Sequence, residues 1–429
     1  RGRDGARGRP ACGPRMRRYL PKGARGACYP GGVLVAFWVL AAASLALAVL
    51  QLVVALRLRT SLRPSGTRPA KGHGARPPVS VLVPLKGAPA GLEFRLRRLL
   101  ANLDEADQLV LAMETEDDPA HAVAKALQEG HPDRDVAVVL SGPAGERMGK
   151  QHNLAAALPH ARHEVLAFAD DDVHVERAHL EEGAAVLQHV GVPTGQALGA
   201  AFAVPYYGAG GGPLGGDLVA AYTNHGFAPN MASLALRSPP RFIIGGFWMT
   251  TREALEAIGG LEPFTATVSD DAAIGRAFHG AGRRNVMLSA PVRLERERLD
   301  LEGGVEHVLK WLTLLRAEGL GVLLACYVTW HPLATWLLTA LVAVAAPGVP
   351  DRLALLAFVV VAASRALAVF TLDGLVFGLQ PVGRYLPMQL VYEALLAPAL
   401  FLVAAFRREV AWRGRRYRLR PGGSIAEAG

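Results

Sequence analysis

Three groups of carboxylates stand where short apolar runs end. Asp170, Asp171 and Asp172 follow the run Glu164 to Ala169 (EVLAFA); Glu114, Glu116, Asp117 and Asp118 follow Gln108 to Met113 (QLVLAM); Asp270 and Asp271 open the helix-like stretch AAIGRAF. Two carboxylates separated by one residue can share a hard divalent cation, Mg²⁺ or Mn²⁺, that also holds a diphosphate. Asp170 and Asp172 therefore form a candidate metal pair. An acidic turn in solvent has the same composition, and acids at a helix start also complement the helix dipole. The chemical reading gains weight because the triplet directly follows an apolar strand and has other carboxylates for company.

The elements that must carry these groups can be read from the apolar pattern. Val79 to Leu85 (VSVLVPL), Gln108 to Met113, Asp135 to Leu140 (DVAVVL) and Glu164 to Ala169 read as buried strands, with an amphipathic Leu92 to Leu103 and an Ala-rich Ala120 to Glu129 between them. That alternation predicts an α/β fold with a doubly wound, mostly parallel sheet. Ligands in such sheets bind beyond the carboxyl ends of the strands, where the acidic groups fall. No GxGxxG follows the first strand and no GxxxxGK[ST] occurs, so dinucleotide and P-loop chemistry lack their usual phosphate cradles.

Charge and hydropathy divide the 429 residues further. The formal net charge is +9, yet residues 1–31, 57–77 and 407–429 together hold 22 basic residues against three acids, which leaves 24 basic against 34 acidic elsewhere. The body is acidic. A nucleic-acid-binding domain would concentrate positive charge on its folded face, so no nucleic-acid partner is expected. Three cysteines exclude a disulfide framework and a Cys-based zinc site. Val33 to Leu56 is 24 residues without a charge, long enough at about 1.5 Å per residue to cross a hydrocarbon core of about 30 Å. Three further apolar runs follow at Gly321 to Ala346, Leu353 to Leu379 and Tyr385 to Phe406.

These features predict a disordered basic leader (1–31), a transmembrane helix (32–58), a basic linker (59–77), a soluble domain (78–300), an interfacial helix (301–318), a C-terminal membrane region (319–406) and a basic cytoplasmic tail (407–429). The basic residues after the first helix predict a multi-pass protein with its soluble domain in the cytoplasm. If all three C-terminal runs spanned, the Arg-rich tail would end opposite that domain. The middle run, with Arg365, Asp373, Gly374 and Gly378, is therefore the expected re-entrant or interfacial segment.

The order of motifs resembles a family-2-type glycosyltransferase of the GT-A fold, and more closely the ceramide glucosyltransferase group. VSVLVPLKG (79–87), EDDPA (116–120), FADDDV (168–173), FIIGGFWMTTREALEAIGGL (242–261) and WRGRRYRLRPGG (412–423) are each similar to that group's segments, in the same order. The resemblance covers Val79 to Gly423. It implies a GT-A sheet with one N-terminal and two or three C-terminal membrane helices, a UDP-sugar donor, a membrane lipid acceptor and a divalent cation. By the same resemblance Asp170 and Asp172 hold metal and diphosphate, and Asp271 is the general base with Asp270 beside it. Lys86, Glu114, Glu116, Lys150, Asn153, Asp170, His225 and His307 would contact substrate, and Lys310 and Trp311 would join the catalytic group. Two positions depart from the pattern. Thr115 stands where the group has an aspartate for the nucleotide base, a job that would pass to Glu114 or Glu116. His307-Val308-Leu309-Lys310-Trp311 replaces (Q/R)xxRW, which keeps the charge but loses the bidentate fork of Arg.

The implied activity is metal-dependent, inverting transfer of a hexose from a UDP-sugar to a hydroxyl of a ceramide-like or other lipid. A processive polysaccharide synthase and an inactive scaffold that keeps the fold are the alternatives. The sequence does not fix the oligomeric state.

Overall fold

The computed structural model describes residues 31–62, 76–188, 195–208, 212–296, 298–345, 351–379, 386–412 and 414–426. The basic leader and most of the basic linker lie outside the described residues. Helix α1 (Gly31–Ser61) leads into the alternation β1 (Val79–Pro84), α2 (Leu92–Asn102), β2 (Gln108–Met113), α3 (Pro119–Glu129), β3 (Asp135–Leu140), α4 (Gly149–Ala157) and β4 (Val165–Ala169). There follow β5 (Val173–His174), α5 (Arg177–Leu187), β6 (Leu198–Phe202), β7 (Pro205–Tyr207), α6 (Leu214–Tyr222), α7 (Ala228–Arg237), β8 (Phe247–Thr251), α8 (Arg252–Glu256), α9 (Asp270–Gly280), β9 (Arg284–Met287) and β10 (Val292–Leu294). Helices α10 (Leu301–Glu318), α11 (Leu320–Trp330), α12 (Pro332–Ala345), α13 (Asp351–Phe370), α14 (Leu386–Val391) and α15 (Ala397–Phe406) precede the tail strands β11 (Glu409–Trp412), β12 (Arg415–Leu419) and β13 (Ile425–Ala426).

Seven strands form the main sheet in the order β3-β2-β1-β4-β8-β6-β9. β1 pairs parallel with β2 and β4, and β2 pairs parallel with β3, which is the doubly wound half expected from the sequence. β8 lies antiparallel between β4 and β6 and makes the sheet mixed. Alternation along each strand feeds two apolar layers. Val79, Val81, Val83, Leu109 and Leu111 point to one face, while Leu82, Val110 and Ala112 point to the other. The second layer continues into α4, α9 and α10 and on into the membrane helices, so one core joins the two halves. At the crossing of α6 and α10 the backbones touch: a Cβ on Gly304 would lie 2.4 Å from Gly215, and one on Gly215 would lie 1.6 Å from the Asp300 carbonyl oxygen.

Among the described residues, three helical stretches are long and apolar enough to cross a membrane: Val35–Ser61, Ala354–Val376 and Leu386–Phe406. The first C-terminal run is bent by 81° between α11 and α12. Its cause is local, since Pro332 forces the preceding His331 out of the helical region to φ −126°, ψ 67°. The broken run is thus the first of the three and not the middle one, which is a correction to the sequence reading. Glycines in the middle run do not break it because Thr371–Val376 continues as a π-helical turn. The tail docks on the α/β domain: Val268 N–H donates to Gly423 O and Ile425 N–H to Ala266 O, both at 2.9 Å.

Candidate active site

The acidic triplet sits just beyond the carboxyl end of β4, where backbone bonds fix its shape. Asp170 N–H donates to Gly246 O (3.1 Å), Val173 N–H to Asp170 O (3.2 Å) and Glu295 N–H to Asp172 O (2.6 Å). The buried Arg95 of α2 donates from Nε to Asp171 O at 2.8 Å. With the main chain held from four sides, the side chains of all three aspartates line one cavity of about 350 Å³.

Opposite the triplet, α4 and α9 bring their first turns together. Lys150 Nζ lies 2.8 Å from Asp170 Oδ1 and 3.5 Å from Asp270 Oδ2, and Gln151 Nε2 donates to the same Asp270 oxygen. Burial alone would lower the Lys150 ammonium, but the three surrounding aspartates outweigh it and raise its pKa above the ordinary lysine value. Asp271 accepts from Ala272 N–H on Oδ1 (2.8 Å) and from Gly245 N–H on Oδ2 (3.0 Å). Gly245 permits this approach, because a Cβ there would stand 3.3 Å from Asp271 Oδ2. Burial and the neighbouring Asp270 push Asp271 up to about 7, against the pull of Lys150 and the two backbone donors. A carboxyl near 7 that faces a cavity is suited to taking a proton at neutral pH.

Most of the sequence-derived candidates meet at this cavity: Lys86, Glu114, Lys150, Asn153, Asp170, Asp172, Asp270, Asp271, His307, Lys310 and Trp311 all line it. Lys86 Nζ lies 3.6 Å from Glu114, and Asn153 is buried, accepting from Ser141 Oγ at 2.7 Å and donating to Leu85 O at 3.2 Å. Two candidates are elsewhere. Glu116 is exposed beyond the end of β2, whereas Glu114 points inward, so of the two only Glu114 reaches the cavity. His225 is fully buried away from it, with Nε2 donating to Asp373 (2.7 Å) and Nδ1 beside Gln389 (3.2 Å) in the membrane half.

The tail strands supply residues that the motif reading did not assign to a site. Trp412, Arg415 and Tyr417 line the cavity. Lys310 Nζ lies 4.5 Å from the centre of the Trp412 ring, a cation–π contact, and Trp311 meets Trp412 edge-on at 6.1 Å. Arg415 bonds Glu114 at 3.1 Å and Gly145 O at 3.2 Å. Their signal was in the sequence, as aromatic residues interleaved with arginine in the tail, but the charge there reads equally as a topology determinant.

The residues present fit a hard divalent cation that shares its ligands with a phosphate. Among the described residues no group of three or more His, Cys, Asp or Glu could hold a metal by itself. Asp170 and Asp172 offer oxygen donors on the open cavity, and Lys150 holds positive charge at Asp170 where a cation would also be drawn.

A second cavity of about 600 Å³ adjoins the first. Asp271, Tyr222, Phe227, Ile244, Trp311 and Leu314 line both. Beyond that shared wall it is largely apolar and runs between Leu50 and Val54 of α1 and Val322, Ala325 and Cys326 of α11.

No match was found among curated proteins. Among solved structures the chain is similar to the mannosyltransferase PcManGT from Pyrobaculum calidifontis in complex with GDP-Man and Mn²⁺. That likeness has 19% identity over 85% of this chain and 91% of that one, with a TM-score of 0.41. It is also similar to glucosyl-3-phosphoglycerate synthase from Mycobacterium tuberculosis in complex with Mn²⁺, UDP and phosphoglyceric acid, at 18% identity over 59% and 85% of the two chains with a TM-score of 0.36. The assignment rests on neither of these but on a family model that matches residues 36–425, nine-tenths of the chain. This protein belongs to glycosyl transferase family 21, the ceramide glucosyltransferase-like family, and is a glycosyltransferase.

Proposed function

We propose that the protein transfers a hexose from a UDP-sugar to the hydroxyl of a membrane lipid, with inversion and with Asp271 as general base. The observation that carries this reading is the position of Asp271 in the wall between a charged cavity and an apolar one. A soluble donor fits the first. The second is bounded by two apolar helices, α1 and α11, and suits an aliphatic chain whose polar head reaches the base.

The roles of the chain's own residues follow. Lys86, Lys150 and Lys310 offer positive charge to a diphosphate in the first cavity, and Glu114 supplies an acceptor for the nucleotide. Asp170 and Asp172 would hold Mg²⁺ or Mn²⁺, which when bound helps neutralise charge on the leaving diphosphate. Asp271 takes the proton of the acceptor hydroxyl as its oxygen forms a bond to the anomeric carbon. The bond from that carbon to the diphosphate oxygen breaks on the opposite face, and its electron pair leaves with UDP. Holding both reactants in line supplies much of the acceleration. The basic residues at the end of α1 favour a cytoplasmic catalytic domain.

Transfer of label from a radioactive UDP-sugar to extractable lipid in membranes is the direct test. Labelled lipid from the wild type and none from Asp271→Asn is the expected result. Equal labelling by both would remove Asp271 as the base, and label found only in polysaccharide would replace the lipid acceptor.

A further inference from the structure

The tail returns from the last membrane helix to the mouth of the charged cavity and is fastened there. Gly422 N–H donates to Ala317 O, Val268 N–H to Gly423 O, and Ile425 N–H to Ala266 O, each at 2.9 Å. A tail needed only for topology has no reason for such docking. β12 pairs with β11 so that Arg415 stands opposite Trp412, and both reach the cavity.

Arg415 is the single guanidinium among the described residues that line this cavity, the other cations there being Lys86, Lys150 and Lys310. A guanidinium presents a planar fork that matches two phosphate oxygens, whereas an ammonium acts as a point charge. Lys150 is committed to Asp170 and Asp270, and Lys310 lies against Trp412. Arg415 is committed to Glu114, which it shares with Lys86, and its side chain remains 37% exposed. A carboxylate that already has a second cation can release one of them to an incoming anion.

We propose that Arg415 is a donor-binding residue whose guanidinium exchanges Glu114 for the diphosphate of the nucleotide sugar, making the C-terminal strands a wall of the donor site. The assignment rests on the donor reading given above. Because the arginine rides on a paired strand whose turn is bonded to the catalytic domain, it is positioned before the donor arrives.

The test is calorimetric titration of the full chain, in detergent with Mn²⁺, with UDP and with UMP, which lacks the second phosphate. The wild type should bind UDP more tightly than UMP. Arg415→Gln should weaken UDP by roughly ten- to a hundred-fold, the loss expected for hydrogen bonds to a charged group, and UMP much less. Arg415→Lys should fall between, since it keeps the charge without the fork. UMP binding by Arg415→Gln also reports that the variant is folded. An unchanged UDP-to-UMP ratio in Arg415→Gln would overturn the assignment while leaving the donor reading intact, and equal losses for both nucleotides would reduce Arg415 to holding the tail in place. A wild type that binds neither nucleotide would defeat the donor reading itself.

Discussion

The molecule buries two sets of charged residues and uses them differently. In the membrane half, Arg365 Nε donates to Glu393 at 2.8 Å, Gln389 Nε2 donates to the same carboxylate at 3.0 Å, and Leu333 N–H takes its other oxygen at 2.8 Å. His225 bonds Asp373, and Arg365 Nη2 donates to the His225 carbonyl at 2.9 Å. His225, Asp373 and Glu393 each sit in a π-helical turn, at Thr223–Phe227, Thr371–Val376 and Tyr392–Leu396. In the catalytic half, Lys150, Asp170, Asp270 and Asp271 also lie close together, but they face a cavity and the acids outnumber the base. The first set bonds mainly within itself, with Arg365 Nη1 and Asp373 Oδ2 left over, and it ties α13 and α14 to the turn that carries His225. The second keeps an excess of negative charge turned toward an open space, which is the condition for binding a cation and accepting a proton. The two are linked, because the turn that carries His225 into the first set places Thr223 and Phe227 on the cavity wall.

The largest effect should come from the open set. Asp271→Asn removes the proposed base while keeping an acceptor for Gly245 N–H, so transfer should fall by roughly a hundred- to ten-thousand-fold. Its thermal midpoint and UDP affinity should stay near wild type. An Asp271→Asn protein that unfolds would erase the distinction between the two sets, because it would show that Asp271 also serves the fold.

The closed set should behave in the reverse manner. Arg365→Leu leaves the Glu393 charge buried without its ion-pair partner, and removing one member of such a pair costs about 3–5 kcal/mol. A sharp drop in thermal midpoint, with little folded protein recovered, is expected. Arg365→Met combined with Glu393→Leu should regain most of that stability, since apolar replacements of both partners leave no stranded charge. If the double variant were no better than the single one, the network would have a role beyond closing charges.

Gly245→Ala tests how tightly the open set is aligned. The added methyl would lie 3.3 Å from Asp271 Oδ2 and must displace it slightly. A fall in kcat of about ten-fold is expected from misplacing the base by a few tenths of an ångström, with KM for the donor little changed.

The sequence made the open set more legible than the closed one, for a physical reason. Carboxylates that end apolar strands are local patterns, and the strands themselves show as short runs: β2 and β3 have the bounds read from the sequence, and β4 differs by one residue at its start. The closed set joins His225, Arg365, Asp373, Gln389 and Glu393 across up to 168 positions, and no spacing rule connects residues that meet only when helices pack. His225 was therefore expected beside the substrates when its partners lie in α13, α14 and the turns around them. The bend at Pro332 was legible in principle, since proline breaks helices. The glycines and charges of the middle run gave a louder signal, and burial of Arg365 against Glu393 removes the obstacle that those charges present. The main-chain bonds that dock the tail, to Ala266, Val268 and Ala317, could not be read at all, because they depend on no side chain.

The smallest predicted effect concerns the pH at which the open set works. Asp271 is raised to about 7 by burial and then by Asp270, so in the ligand-free protein it is protonated below that pH and cannot accept a proton. The value of kcat/KM, which reports the free enzyme, should rise about ten-fold per pH unit on the acid side and level off above about 7. Asp270→Asn removes the second cause and leaves the first, so the inflection should move down by less than about one unit. The closed set offers the contrast: Glu393→Gln should change the amount of folded enzyme without moving the inflection. An inflection that stayed in place in Asp270→Asn would leave burial alone as the source of the raised value and would exclude Asp270 from tuning the base.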